Sequence, residues 1–319
     1  MNNESTSLNS LLFRGCWGVL LLLMVMCVFP THAQVITQMA KENTRVPQGQ
    51  RPNDKPQHYT PVEVNMDTTS TYYVMLDSAQ TMIDQQRWSE AETYFTRAIA
   101  AEPTHPANSM LLSNLATLQR YQGRIDEAIK NYTMALDLTP NSVTLLLNRA
   151  AACIEAGDNA RAQADYERVC QIDPTDVEAR YSLGMMAIET GQYKHAEDLF
   201  EQIKRINPKS GLASEGLGML HKAQGHYVRA IQLLSEVIKA KPNARLLANR
   251  ADCYLTQKQL NQAEEDIRAA LSMTPDDPYL YVLRAKLAKL RFSRDDMEQD
   301  IARAVELGLD RHLVDALLN

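Results

Sequence analysis

The chain has 319 residues, of which 45% are apolar and 23% charged, the composition of an ordinary globular protein. Its formal net charge of −6 argues against a basic surface for nucleic acid, so we predict no nucleic-acid partner. Lysine and arginine alternate with aspartate and glutamate along the predicted helices, a pattern typical of solvated helix faces.

The first predicted element is a secretory signal peptide over residues 1–33. Arg14 precedes an apolar run of 14 residues that ends before Pro30, and the small residues up to Ala33 suit a signal peptidase. A retained membrane anchor is the weaker alternative, because a spanning helix needs ~20 apolar residues. A lipoprotein is a further alternative, although neither Cys16 nor Cys27 has the expected setting. We therefore predict an exported protein of the periplasm or cell envelope, in contact with the membrane only if this segment is not cleaved.

Residues 34–71 are predicted to form a flexible leader. They are rich in Gln, Asn, Thr and Pro, contain few large apolar residues and show no helical period. A short strand over residues 62–64 is possible, but it would have no strand to pair with in a helical protein.

From Tyr72 onward the chain repeats a unit of about 34 residues. An alanine recurs at this interval, a large residue follows it by four places, and a proline follows it by twelve. The alanines are Ala91, Ala128, Ala162, Ala196, Ala230 and Ala263. The large residues are Phe95, Tyr132, Tyr166, Phe200, Leu234 and Ile267. The prolines are Pro103, Pro140, Pro174, Pro208, Pro242 and Pro275.

The copy over residues 177–210 shows why these residue types recur. Small residues at Gly184 and Ala196 allow two helices to approach closely, and Phe200 fills the space between them. Gly191 suits the left-handed turn that ends the first helix, and Pro208 cannot continue the second. One such unit cannot bury its apolar face alone, so it needs neighbours.

These linked positions resemble the tetratricopeptide repeat, or TPR, a helix–turn–helix unit. The resemblance implies an all-α, right-handed superhelical solenoid of about seven repeats over residues 72–308. The predicted units are 72–105, 109–142, 143–176, 177–210, 211–244, 244–277 and a degenerate 278–311.

Residues 309–319 are expected to form a short C-terminal capping helix with Leu313, Ala316 and Leu317 on one side. The turn glycine of the repeat is absent from three units, whose turns we expect to be less tightly specified. Gln86, Lys258 and Phe292 stand in its place.

No motif in the sequence indicates catalysis or cofactor binding. GxSxG, GxxxxGK[ST] and HExxH are absent, and His221 and His226 lack the helical spacing of a metal pair. Cys153, Cys170 and Cys253 are expected to pack between helices, with a Cys153–Cys170 disulfide as a minor alternative. We therefore predict a protein that is not an enzyme and has no cofactor or metal site.

The TPR resemblance also implies a binding surface. In this family the second, fifth, sixth, ninth, twelfth and thirteenth residues of each first helix line a concave groove. The predicted partner-binding residues are Asn114, Leu147, Asn148, Ala151, Ile154, Tyr181, Met185, Ile188, Leu212 and Met219. The predicted ends of the groove are polar or charged, namely Asp77, Gln80 and Asp84 on one side and Arg245, Asp252, Lys286 and Lys289 on the other.

Packing between first helices is the competing interpretation of these residues. It is an equal alternative for Tyr181 and Met185, and we favour it for Leu147 and Ile154. The carboxylate-clamp class of TPR is not expected, because Glu178 and Ser182 stand where that class needs cations.

The resemblance implies a non-catalytic interaction scaffold or adaptor that binds a peptide segment or a partner protein without a small-molecule cofactor. Two alternatives remain open. One is a non-catalytic helper of an envelope complex that processes a polymer. The other is a structural protein that self-assembles through its degenerate ends.

Overall fold

A computed structural model describes residues 70–318. In this part of the chain the protein is all-α, with fifteen helices, short turns and no strand. None of these helices is both long enough and apolar enough to cross a membrane. The predicted signal peptide, the 62–64 strand and the leader up to residue 69 lie outside the described residues. The last two leader residues belong to the helical part, because Ser70 caps the first helix and Thr71 begins it.

The described helices divide into two compact units. The N-terminal unit, residues 70–174, contains three antiparallel helical hairpins. They are formed by α1 (Thr71–Asp84) and α2 (Trp88–Ala101), by α3 (Asn108–Tyr121) and α4 (Ile125–Leu138), and by α5 (Val143–Ala156) and α6 (Asn159–Ile172).

The C-terminal unit, residues 175–318, contains four hairpins and a final short helix. The hairpins are α7 (Val177–Glu189) with α8 (Tyr193–Ile206), α9 (Gly211–Ala223) with α10 (Tyr227–Ala240), α11 (Ala244–Thr256) with α12 (Leu260–Met273), and α13 (Pro278–Leu290) with α14 (Arg294–Glu306). The final helix is α15 (Arg311–Leu318).

The recurring alanine, large residue and proline account for these hairpins. All six alanines are fully buried, and the six large residues are buried beside them. Each proline lies two residues beyond the end of a second helix, as Pro208 follows Ile206. The register predicted from the sequence is therefore confirmed, since these positions form the layer between the paired helices.

The turn within each hairpin has one conformation whether or not glycine is present. Gly191 has a φ of 73°, and Gln86, Lys258 and Phe292 have φ values of 58°, 56° and 61°. The left-handed region places Cβ close to the following carbonyl in any residue other than glycine. The three turns without glycine thus keep the geometry of the repeat. Their residues pay the steric cost of the left-handed conformation, which glycine avoids.

Three hairpins are joined internally by an arginine on the first helix and an aspartate sixteen residues later. The pairs are Arg149–Asp165, Arg250–Asp266 and Arg284–Asp300, each with two N–H groups donating to the carboxylate. The aspartates are buried, which differs from the solvated faces expected from the charge pattern. Leu183 and Leu199 occupy the same two positions in another hairpin and are buried there, so the position accepts either a bidentate ion pair or an apolar pair.

The C-terminal cap forms as a helix, but its buried face differs from the expectation. Val314 is fully buried and Leu317 nearly so, whereas Leu313 is only partly buried and Ala316 is exposed. Helix α15 contacts both α13 and α14, and Lys289 Nζ donates to the Leu318 carbonyl at 2.9 Å. This lysine therefore satisfies a carbonyl at the end of the last helix.

Candidate partner-binding surface

The surface predicted from the sequence lies on the first helix of each hairpin. We call its part on α1, α3 and α5 the N-terminal stripe, and its part on α7, α9, α11 and α13 the C-terminal stripe. The two stripes belong to different units. They differ in how many of their side chains are buried or paired with neighbouring side chains.

The N-terminal stripe keeps accessible side chains. Asn114 is exposed, and Leu147, Asn148 and Ile154 are partly exposed, whereas Ala151 is buried. Leu147 and Ile154, for which the sequence favoured packing, thus retain some surface.

Tyr121 is the last residue of the stripe helix α3 and the thirteenth of the repeat unit 109–142, and 47% of its surface is exposed. Tyrosine offers a large, rigid contact area with a polar end, a combination that is enriched at interfaces. Its repeat position was the signal that could have identified it. An exposed aromatic and two partly exposed aliphatic residues now accompany the asparagine amides of this stripe.

A buried ion pair fixes the same stripe between α3 and α5. Arg120 Nε donates to both carboxylate oxygens of Glu155, at 3.0 and 2.9 Å, and both side chains are mostly buried. Arg120 is the twelfth residue of the repeat unit 109–142, and Glu155 is the thirteenth residue of the next unit, 143–176. Sequence reasoning missed this pair, although its spacing of 35 residues, one repeat plus one, is visible in the sequence.

In the C-terminal stripe, the two central residues are buried. Tyr181 is 8% exposed and Met185 is 2% exposed, within a core cluster that includes Phe200 and Leu220. An open patch and packing were equal alternatives for these two residues, and the structure favours packing. Ile188, Leu212 and Met219 are partly buried and pack against the same cluster.

The hydroxyl group of Tyr181 explains its inward position. It donates to Glu215 Oε1 at 2.6 Å, and Arg245 pairs with the same carboxylate. Burial raises the pKa of Tyr181 above its ordinary value, so the phenol stays protonated and serves as a donor. The chain Tyr181–Glu215–Arg245 joins α7, α9 and α11.

A second chain of charges joins α9, α11 and α13. Asp252 accepts from Lys222 Nζ at 2.8 Å and from Lys286 Nζ at 3.2 Å, and Lys222 also donates to Asn249 Oδ1 at 3.0 Å. Burial would raise the pKa of Asp252, but the two ammonium groups lower it to about 2. Three of the residues predicted to form a charged end of the groove are thus paired within the protein. Arg245 pairs with Glu215, and Asp252 pairs with both Lys222 and Lys286.

Glu189 differs from the paired charges of the C-terminal stripe. It is the last residue of α7 and is partly buried. Among the described residues it has no hydrogen bond or ion pair, and burial raises its pKa to about 7. A carboxylate in this setting lacks the compensating partner that buried charges ordinarily have.

The described residues offer neither a metal site nor a reactive thiol. Within 70–318, no three or more His, Cys, Asp or Glu side chains are grouped to hold a metal ion. No disulfide joins Cys153, Cys170 or Cys253 in the described part of the chain, so the disulfide alternative is not formed in this structure. Burial raises the pKa of the Cys153 and Cys253 thiols to about 11, which keeps them protonated at neutral pH.

Comparisons with known proteins agree with this architecture. The family model described as the tetratricopeptide repeat protein 21 C-terminal ARM domain matches residues 90–281. A crystal structure of a tetratricopeptide repeat protein from Parabacteroides merdae is 30% identical, with a TM-score of 0.69, over 78% of this chain and 97% of that one. No protein with a curated description matches the chain significantly.

Two more distant structures share the fold. The Cut9–Hcn1 hetero-tetramer of APC/C matches at 14% identity and a TM-score of 0.59, over 80% of this chain and 56% of that one. PilW, a type IV pilus biogenesis factor, matches at 18% identity and a TM-score of 0.54, over 66% and 98%. The repeat register, the paired helices and the family match together show that this chain belongs to the tetratricopeptide repeat family.

Proposed function

We propose that this protein is a non-catalytic scaffold of the bacterial cell envelope that binds an extended peptide segment or a partner protein on its first helices. TPR proteins are generally protein–protein interaction scaffolds and are typically non-catalytic. The observation that carries the proposal is a set of exposed or partly exposed residues on the N-terminal stripe, namely Asn114, Tyr121, Leu147, Asn148 and Ile154.

The chemistry of this set suits an extended backbone. An asparagine amide both donates and accepts hydrogen bonds, so Asn114 and Asn148 can bind peptide N–H and C=O groups. Tyr121, Leu147 and Ile154 supply apolar contact between those amides. The Arg120–Glu155 pair holds α3 and α5 together beneath such a partner, which reduces the ordering that binding requires.

Site-specific photo-crosslinking in the native cell tests this proposal. A photoreactive residue at Leu147 or Asn114 should capture a discrete partner after irradiation. The same residue at Lys130 or Glu167, exposed on the second helices α4 and α6, is the matched control. Capture from the second helices alone would contradict binding on the first helices.

The envelope location is supported by the signal-like segment over residues 1–33. Mass spectrometry of the mature protein should find its N-terminus at or near Gln34. An intact Met1, or a lipid on Cys27, would contradict export through a cleaved signal peptide.

A further inference from the structure

We propose that the N-terminal stripe binds a basic, extended segment of a partner protein, with lysine or arginine side chains over α1 and apolar side chains over α3 and α5. The inference rests on the proposed peptide-binding function and adds to it the charge of the partner and the order of its residues on the surface. Three observations support it: where the net charge of the chain lies, the carboxylates on α1, and the pairing of the cations on these three helices.

The negative charge of the chain is concentrated in the N-terminal unit. Residues 70–174 contain 13 Asp and Glu against 8 Lys and Arg, which gives −5 of the −6 net charges of the whole chain. Residues 175–319 contain 21 against 20 and are nearly neutral. A negative field attracts segments that carry lysine or arginine and repels acidic ones. Charge complementarity thus favours a basic partner for the N-terminal unit specifically.

Two carboxylates of this excess lie on the α1 part of the stripe. Asp77 and Asp84 are exposed, and they occupy the sixth and thirteenth positions of the unit 72–105. Gln80, between them, donates from Nε2 to Asp84 Oδ1 at 3.0 Å. Asp84 forms no ion pair within the described part of the chain, so its second oxygen can accept a lysine or arginine of a partner.

The three first helices of this unit lie side by side, so the α1 carboxylates continue the proposed binding surface. Tyr72 Oη on α1 donates to Asn108 Oδ1 on α3 at 3.1 Å. Arg120 on α3 pairs with Glu155 on α5. The sixth stripe position across α1, α3 and α5 is occupied by Asp77, Asn114 and Asn148. Packed helices lie ~8–10 Å apart and an extended chain advances ~3.3 Å per residue, so a partner residue over α1 is about three residues from one over α3.

The cations on the same three helices are already paired. Helix α1 has none, Arg120 is the cation of α3, and Arg149 is the cation of α5. Each donates from two nitrogens to one carboxylate of the unit, Arg120 to Glu155 and Arg149 to Asp165. An acidic segment would therefore meet the α1 carboxylates without a cation to offset the repulsion.

The test uses three fluorescently labelled synthetic peptides of equal length that share a half rich in leucine. The other half carries lysine in the first peptide, glutamine in the second and glutamate in the third. Binding to the purified protein is measured by fluorescence anisotropy at low and at physiological salt. We expect the lysine peptide to bind most tightly and the glutamate peptide most weakly. The difference should shrink as the salt concentration rises, because exposed charges are screened.

Asparagine substitutions on α1 locate the charge effect. The fold should tolerate Asp77→Asn, because Asn114 and Asn148 occupy the same position in the next two units. Asp77→Asn and Asp84→Asn should each weaken binding of the lysine peptide by about threefold, and the double variant by about tenfold, since exposed ion pairs are weak and distant sites add. Glu167→Gln removes the same charge from an exposed position on α6 and should leave the affinity unchanged.

Tyr121→Ala separates the charge inference from the proposed function. The Tyr121 ring belongs to the surface that takes the shared apolar half, so this variant should weaken all three peptides by a similar factor. Equal affinities of the three peptides, or a loss in Glu167→Gln as large as in the α1 variants, would overturn the inference. Peptide binding by the stripe would still stand if Tyr121→Ala weakened it. If none of the peptides binds, the inference is overturned, and the photo-crosslinking experiment decides the proposed function.

Discussion

A Cβ atom at Gly216 would lie 2.3 Å from the ring of Phe200, much closer than non-bonded carbon atoms approach. Gly184 meets the same ring in the same way, at 2.4 Å. The two glycines belong to α9 and α7, the first helices of consecutive hairpins, and Phe200 belongs to α8. The aromatic ring therefore fills a space that exists only because both helices lack a side chain there.

Gly216→Ala should destabilise the protein by about 1–3 kcal/mol, because the added methyl group overpacks the Phe200 site. Gly211→Ala is the control, since a Cβ at that helical glycine would meet Val237 at an ordinary 3.5 Å. Chemical denaturation measures both. Combining Gly216→Ala with Phe200→Leu should recover part of the loss, and equal stabilities of the Gly216 and Gly211 variants would contradict the packing described here.

Replacing Lys258 or Phe292 with glycine should stabilise the protein by roughly 0.5–1 kcal/mol. Both residues hold the left-handed conformation, which costs a residue with a side chain ~1–2 kcal/mol, and glycine's greater entropy in the unfolded chain offsets part of this. Phe292 is also 95% exposed, so its removal loses no packing. Gly225→Ala, in an equivalent turn with a φ of 78°, should destabilise. Thermal unfolding that moves all three variants in the same direction would refute this explanation.

Tyr181→Ala should lower stability by about 3 kcal/mol or more, because it removes a buried ring and leaves Glu215 without its phenol donor. Partner capture per folded molecule should be unchanged, since Tyr181 has almost no exposed surface. Tyr121→Ala is the reciprocal case, because its exposed ring should contribute within ~0.5 kcal/mol to stability but more to binding. Measuring the pull-down yield and the melting temperature of each variant distinguishes the two roles. A large loss of binding in a stably folded Tyr181→Ala protein would show that Tyr181 does contact the partner.

His221 should make the protein less stable as the pH falls through about 6.5. Its Nδ1 atom is buried without a hydrogen-bond partner, and burial lowers the pKa of His221, assisted by His226 and Arg229 and opposed by Glu197. The unfolded chain then binds a proton more readily than the folded one, so acid favours unfolding. Chemical denaturation at pH 7 and at pH 5 measures the stability that each variant loses on acidification. This loss should be smaller for His221→Gln than for the control His195→Gln, which replaces an exposed histidine. Identical pH dependence in both variants would exclude His221 as the cause.

The sequence predicted the packing layer well because that layer depends on residue size at a fixed spacing. Ala196 and Phe200 recur in kind in six of the seven repeats, and helix pairing follows from them. The sequence analysis did not single out Arg250 and Asp266, because alternating charges on helices are ordinarily solvated. Only the height at which two helices meet brings these two residues together. Their spacing of sixteen, repeated in three units, was available as a signal.

The accessible part of the binding surface was harder to predict. Tyr181 and Tyr121 both stand on stripe positions, and neither hydropathy nor helical period separates them. The difference arises one repeat later, where Glu215 offers an acceptor 34 residues after Tyr181. Such links between equivalent or adjacent positions of neighbouring repeats decide which stripe residues stay free.

Hydroxyl-radical footprinting of the protein with its captured partner tests most directly whether the first helices form the binding surface. Tyr121 on α3 and Met134 on α4 are matched probes, because they are 47% and 43% exposed in the same hairpin. Binding on the first helices predicts that Tyr121 loses reactivity when the partner is present and that Met134 does not. Protection of Met134 with an unchanged Tyr121 would contradict that surface.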